Sequence, residues 1–301
     1  MSHDLLQALA IFAAGLAAGT INTVVGSGTL ITFPTLLAFG YPPVLANVSN
    51  NVGLVPGSFS GAHGYRAELA GQRRRLLRLG SASLCGGLVG ALLLLVLPAG
   101  AFKEIVPALI GIALVMVVFQ PRLSQWVAAR QRSRADAGAG AGPEDAAVAA
   151  VTVAPDRPDG PDGGTAARAG AVGVIRPVSH QAAPPVGGPA LWVLVFVSGM
   201  YGGYFGAAQG VLLLGLMGVA FTDSLQRINA VKNVLAGLVN GVAAVVFICA
   251  THVDWGAAGL IAAGSILGGQ LGARIGRKLP PWGLRVLIIC VGTAALVKLL
   301  A

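Results

Sequence analysis

The sequence predicts an all-α polytopic membrane protein made of two inverted repeats, each of about five membrane segments with a short broken second helix. Three observations predict it. The chain is 55% hydrophobic and only 10% charged, with mean hydropathy +0.78, against a usual charged fraction of about 25%. Apolar runs of bilayer-crossing length, roughly 17–25 residues, recur along it. Finally, a shift of 182 residues, without a gap, superposes one half on the other: Asn47, Asn51 and Val52 fall on Asn229, Asn233 and Val234, and Gly86, Gly87, Gly90 and Ala91 on Gly268, Gly269, Gly272 and Ala273.

The candidate segments are 5–25, 28–40, 44–65, 79–97 and 104–120 in a first membrane repeat (1–120), then 190–208, 210–221, 227–250, 255–273 and 282–300 in a second (190–301). Residues 1–4 lack the basic n-region of a cleavable signal, so Leu5 onward reads as the first membrane segment. Between the halves, 121–189 is rich in Ala, Gly, Pro and Asp. It reads as a disordered cytoplasmic linker, because such a composition cannot bury enough apolar surface to offset chain entropy. Cys85, Cys249 and Cys290 sit in separate apolar runs. Neither a disulfide framework nor a metal site has that spacing, so they read as buried, inert thiols.

Basic residues orient the repeats. With 66–78 (Arg66, Arg73, Arg74, Arg75, Arg78) on the cytoplasmic side and five crossings per half, the linker and the loop with Arg274, Arg277 and Lys278 are cytoplasmic too. Only Lys103 and Lys298 of the 20 basic residues then lie outside. Four crossings per half, with 28–40 and 210–221 re-entrant, would turn Arg274, Arg277 and Lys278 outward, against the positive-inside bias. A plasma or inner membrane protein with both termini outside is the better fit. The +9 net charge is then a property of loops facing anionic lipid, not of nucleic-acid binding. Asp4, Glu68, Glu104, Asp223 and Asp254 are the acids outside 121–189, and all fall at segment ends or in loops. The mid-membrane carboxylate of cation pumps and proton-coupled carriers is missing, which disfavours cation transport.

The second segment of each half is the unusual one. About a dozen residues of helix cover roughly 20 Å of a core about 30 Å thick. Each should start below the surface, after Gly26-Ser27-Gly28 or Ala208-Gln209-Gly210. A helix start inside lipid is tolerated only where it is buried in protein or lines a cavity. There its free N–H groups and partial positive charge suit an anion, and glycine lets the ligand approach. Discontinuous helices at matching places in two repeats point to a carrier's substrate site. Packing of small residues is the bland reading of any one of these glycines.

The stretches "GSGTLITFPTLLAFGYPPVLANVSNN" (26–51) and "GAAQGVLLLGLMGVAFTDSLQRINAVKN" (206–233) resemble the two signature regions of the TauE/SafE sulfite exporter family. The likeness covers essentially the whole chain outside the linker. It implies a multi-spanning permease for small, mostly sulfur-containing anions such as sulfite, sulfonates or thiosulfate, with related organic acids among its substrates. Ser27 and Ala207-Ala208-Gln209 stand where the family's turn has glycines.

The candidate anion-binding set is Asn22, Gly26, Ser27, Gly28, Thr29, Asn47, Asn51, Gln209, Gly210, Asn229, Lys232 and Asn233. Asn47/Asn51 and Asn229/Asn233 are spaced i, i+4, so each pair shares a helix face. Their amides can donate to an oxyanion without charging the site, and Lys232, aligned with Asn50, would add the positive charge. Interhelical hydrogen bonding by the asparagines and snorkelling by Lys232 stay open. His63, near the cytoplasmic end of its helix, reads as an interfacial residue. The sequence holds no catalytic triad, metal-ligand cluster or phosphate loop, so a membrane enzyme is disfavoured and no cofactor is expected. A secondary carrier for a small anion is the leading reading. An anion channel or a non-transporting scaffold is the alternative, and a homodimer is compatible with either.

Overall fold

A computed structural model describes residues 3–139, 188–275 and 281–300. The chain divides into two compact units, Met1–Gln131 with Pro185–Ala301, and Arg132–Pro184. Among the described residues there are ten helices and no strand: α1 (His3–Val24), α2 (Thr29–Ala38), α3 (Pro43–Gly64), α4 (Arg73–Val96) and α5 (Ala99–Ala139), then α6 (Pro189–Tyr204), α7 (Gln209–Ala220), α8 (Leu225–Ala250), α9 (Trp255–Ile275) and α10 (Pro281–Leu300). By length and composition, five stretches are apolar enough to cross a membrane: His3–Val24, Arg73–Val96, Gly100–Arg122, Leu225–Ala250 and Trp255–Arg274. Helix α3 is as long, but Asn47, Ser49, Asn50, Asn51, Ser58 and Ser60 make it polar. The short helices α2 and α7 bear out the expected broken second segments. Their 10 and 12 residues span roughly 15 and 18 Å.

The helices exchange partners between halves in matched pairs. Helix α1 packs on α9 as α6 packs on α4, α3 packs on α9 as α8 packs on α4, and α3 and α8 pack on each other. The contacts match atom by atom. A Cβ added to Gly268 would collide with the Leu16 carbonyl oxygen, and one added to Gly86 would collide with that of Phe196. Only glycine lets these backbones come so close, the small-residue packing that replaces hydrophobic collapse inside a bilayer. Ser58 and Asn240, which are 182 residues apart, touch each other: the Asn240 amide donates to Ser58 Oγ at 3.4 Å.

Two expectations need correction. Cys85, Cys249 and Cys290 are free but exposed. They lie on outward faces that also carry exposed Leu84, Leu88, Leu92, Val245 and Ile248, because an apolar run that crosses lipid need not face protein. Helix α5 also runs well into the expected linker, through Ala139. Its stretch of Gln, Arg and Ala past residue 122 is good helix-forming sequence. Residues 140–187 of the linker, and Arg277 and Lys278, lie outside the described residues, while Gly188 and Pro189 already open α6.

Candidate functional site

Glycine ends the first helix of each half. Gly26 has φ 94° and Gly206 has φ 75°, left-handed values open to few other residues. The amides of Val25 and Gly26 both return to the Ile21 carbonyl, and those of Phe205 and Gly206 both return to Tyr201. The second break therefore sits at Gly206, ahead of the expected Ala208-Gln209-Gly210, and α7 begins at Gln209. Gly206 lies 180 residues after Gly26, whereas Asn229 lies 182 after Asn47. The two extra residues of α7 account for the change of register.

The two breaks touch. The Gly210 amide donates to the Gly26 carbonyl at 3.1 Å, and a Cβ on Gly26 would collide with the Gly210 Cα. Phe33 of α2 meets Phe205 of the other break edge-on, centroids 5.2 Å apart. Gly26→Ala should therefore cost more than the roughly 1–3 kcal/mol of a strained left-handed residue. Gly40 has φ 85°, but nothing lies within 4 Å of where its Cβ would stand, so Gly40→Ala carries strain alone. Thermal midpoints of the two variants in detergent check this, and equal losses would mean that the breaks need not touch.

The polar third helices reach across to these ends. Asn47 Nδ2 donates to the Tyr204 carbonyl at 3.0 Å, at the end of α6. In the matching position Asn229 Nδ2 donates to the Thr23 carbonyl at 3.0 Å, at the end of α1. Asn233 Nδ2 reaches the same oxygen at 3.4 Å. Lys232 Nζ donates to the Asn22 carbonyl at 3.0 Å and to Thr23 at 3.3 Å. Lys232 has no exposed surface. Its counterpart Asn50 stays within its own half, donating to Thr29 Oγ1 at 3.4 Å and accepting from Thr32 Oγ1. The Asn22 side chain donates to Ser58 Oγ at 3.5 Å, beside Asn240.

Unused hydrogen-bonding capacity collects at the same place. Ser27 Oγ, Asn51 Oδ1, Gln209 Nε2 and Asn229 Oδ1 are buried without a partner. Helix α2 has no side-chain cap, and among the described residues the amides of Ser27, Gly28 and Thr29 have no acceptor. Ala18 and Asn22 crowd Gly28, where a Cβ would lie 2.5 Å from the Ala18 oxygen. Gln209 lies against Gly202, leaving no room there for a Cβ. Orphan donors at a helix start and a buried ammonium form an anion-favouring arrangement. The described residues contain no group of three or more His, Cys, Asp or Glu able to hold a metal ion.

The chain matches the family model "Sulfite exporter TauE/SafE" over residues 11–299. It belongs to the TauE/SafE family. Relatives of this TauE/SafE protein bear transporter names. It is 33% identical over 105 residues to "Probable membrane transporter protein ORF9" of a Sinorhizobium species, covering 35% of this chain and 40% of that one. It is 31% identical over 120 residues to a "Probable membrane transporter protein" of Haemophilus influenzae, covering 40% and 46%. The alignment with "Probable membrane transporter protein YfcA" of Escherichia coli is 25% identical over 317 positions and covers 100% of this chain and 91% of the relative. The chain thus spans under half the length of the first two. No solved structure matches it.

Other polar contacts in this TauE/SafE protein lie away from the breaks. His63 stands beside Arg66, 3.3 Å from Nε2 to Nη1, in an exposed position. Arg75, Asp223, Gln72 and Arg227 form a network that sequence reasoning leaves among the loops. Arg75 Nη2 donates to Asp223 Oδ2 at 2.7 Å, and Nη1 donates to Gln72 Oε1. Arg227 Nε reaches Asp223 Oδ1 at 3.2 Å, and Gln72 Nε2 donates to the Arg227 carbonyl at 3.3 Å. Asn240 is a further residue that sequence reasoning misses. Its signal is present in the 182-residue shift, which pairs it with Ser58.

Proposed function

We propose that the protein is a secondary carrier for a small anion, held where the two broken helices meet. The observation that carries this reading is Lys232. It is fully buried, and its ammonium donates to two backbone carbonyls. Among the described residues no carboxylate lies within ion-pair distance of it; both described ion pairs belong to Asp223. Burying an ammonium costs several kcal/mol, and a helix C-terminus returns up to about 2. A bound anion would close the gap. In this reading Lys232 supplies charge, and Ser27, Gln209 and the first amides of α2 supply donors. Asn51 lines the site, while Asn47, Asn229 and Asn233 hold the helix ends in place.

A sulfur oxyanion of the sulfite, sulfonate or thiosulfate type is the substrate class, and related organic acids are the second choice. The support is the family's name together with the single positive charge at the site among the described residues, which suits a small ion of low charge. Binding of sulfite, thiosulfate, a short sulfonate and a small carboxylate to purified protein tests it, followed by counterflow in liposomes. Saturable counterflow of one of them is the expected result. Uptake that neither saturates nor exchanges would make the protein a channel.

The repeats are inverted in this proposal, in an inner or plasma membrane, with 66–78 and 121–189 cytoplasmic. Three contacts support it. Tyr41 of the α2–α3 loop lies beside Gln7 near the start of α1, and the Asp254 amide of the α8–α9 loop donates to Ser49 Oγ of α3 at 2.9 Å. The start of α6 lies instead beside the start of α4, with Trp192 Nε1 donating to Ser81 Oγ at 3.1 Å. On a cysteine-free background, a cysteine at Arg66 should react with an impermeant reagent only from inside, and one at His252 only from outside. Labelling of both from one face would reject the inverted arrangement.

A further inference from the structure

An apolar groove runs along the outer face of α7. One part, about 400 Å³, is lined by Met116 of α5, Leu191 and Leu194 of α6, and Leu212, Leu216 and Val219 of α7 among others. A second part, about 460 Å³, shares Met116 and Val211 and adds Phe119, Arg122 and Trp126. The volumes fall in the range of small-molecule sites, but almost every lining group is apolar.

The groove has a direction. Its α6 and α7 residues lie at the bundle end that carries Arg75 and Asp223, because Phe221, just past α7, stacks under Arg75 at 3.8 Å and Trp192 bonds Ser81 near the start of α4. Helix α5 follows the far end of α4, and its crossing stretch Gly100–Arg122 runs back toward this end; Arg122 and Trp126 line the second part of the groove with Val211. From Val211, near the break, to Arg122, the lining passes from hydrocarbon-like to cationic. Arg122 lies over the Phe119 ring at 5.4 Å and makes no ion pair among the described residues. The sequence that follows, with Arg130, Arg132 and Arg134 against Asp136, is basic. Tryptophan at this level is the usual marker of the membrane interface.

We propose that this groove seats one anionic phospholipid of the leaflet at the Arg75 end, an acyl chain along α7 and the phosphate at Arg122. An arginine fork suits a phosphate, and the apolar wall takes a chain where a soluble anion would gain nothing. The bound chain would cover α7, whose first turn carries Gln209 and Gly210, so the lipid would brace one half of the substrate site. That consequence rests on the carrier reading; the lipid site itself does not.

The test uses the full chain purified in mild detergent, with phosphatidylglycerol or phosphatidylcholine of identical chains added. Native mass spectrometry counts retained lipid, and the thermal midpoint is followed in parallel. Wild type should retain one phosphatidylglycerol in preference to phosphatidylcholine and melt higher with it. Arg122→Gln should lower phosphatidylglycerol retention by about fivefold, the worth of one basic residue at a lipid surface, and leave phosphatidylcholine unchanged. Leu212→Trp, which fills the groove, should lower both. Equal retention of the two lipids by wild type, or unchanged retention by Arg122→Gln, would overturn the proposal. So would an equal midpoint shift with inorganic phosphate, which would make Arg122 a free-anion site, or a change from dimer to monomer in Leu212→Trp, which would make the groove a contact between copies. Sulfite binding measured on the same samples separates a failed lipid site from a failed substrate site.

Discussion

Lys232→Met is expected to abolish anion binding while leaving the folded protein intact. The ammonium is the one charge at the meeting of the two breaks among the described residues, and it is buried. Removing one side of a buried, hydrogen-bonded charge pair costs about 2–5 kcal/mol, which is roughly thirty-fold to several-thousand-fold in Kd. The free protein should behave differently. It loses two hydrogen bonds to the Asn22 and Thr23 carbonyls but no longer buries an ammonium, and Thr23 keeps the Asn229 amide. Its stability should therefore stay within about 1–2 kcal/mol of wild type, since each net hydrogen bond is worth about that or less. Added sulfite or thiosulfate should raise the wild-type midpoint by ligand linkage and leave that of Lys232→Met unmoved. Lys232→Arg should keep part of the affinity, because it keeps the charge but not its compact shape. If Lys232→Met binds as wild type, the buried ammonium serves only to cap α1. If it fails to fold, the same residue is a packing element.

Much of this site is legible along the chain, because the relevant signals are local. A glycine cluster inside an apolar run announces a broken helix, and a dozen apolar residues is too short to cross a bilayer. Hence α2 and α7 can be placed to within about two residues. Asparagines repeated at one spacing stand out against a background of Leu, Val and Ala. The register of the second break is not legible in the same way. A single gapless shift fits the asparagines, but the extra two residues lie inside α7, where apolar sequence resembles itself at any offset. Gly210 thus takes the place of Gly206.

The partners of the polar groups are beyond the sequence altogether. Asn47 and Asn229 look alike and do alike, but each reaches a carbonyl in the other half, and nothing along the chain says which. Lys232 and Asn50 share a repeat position and yet turn to different halves. Arg75 reads as one of a cluster of loop arginines and Asp223 as a loop acid. Their burial depends on the fold bringing the start of α4 against the α7–α8 loop. The exposed cysteines are the converse case, since apolar neighbours in sequence do not tell lipid from protein.

The Arg75–Asp223 pair gives the largest expected effect on stability. Arg75 is 2% exposed, donates to Asp223 at 2.7 Å and lies 3.8 Å above the Phe221 ring. Asp223 in turn accepts from Arg227, and Arg227 Nη2 donates to the Ala70 carbonyl at 3.1 Å. Through these contacts the α3–α4 turn of one half is tied to the α7–α8 turn of the other. Asp223→Leu should be the most costly single change of this pair, because it removes the carboxylate that faces a buried guanidinium, and loss of one partner of a buried pair costs about 3–5 kcal/mol. Arg75→Met should cost less, since Asp223 keeps Arg227 and is nearer to water, with 15% of its side chain exposed. The double variant Arg75→Met/Asp223→Leu removes both charges and should recover much of the loss, as buried ion pairs replaced by apolar residues of similar volume often do. Denaturation of wild type, Arg75→Met, Asp223→Leu and the double variant in detergent completes a double-mutant cycle. Coupling of at least about 2 kcal/mol is expected, within the range such cycles give for residues in one network. Additive losses would mean that the pair does not act as a unit. If turnover in liposomes falls in the double variant while its stability and sulfite affinity return, the pair also acts in the transport cycle, holding the two halves together at this end until the substrate is released.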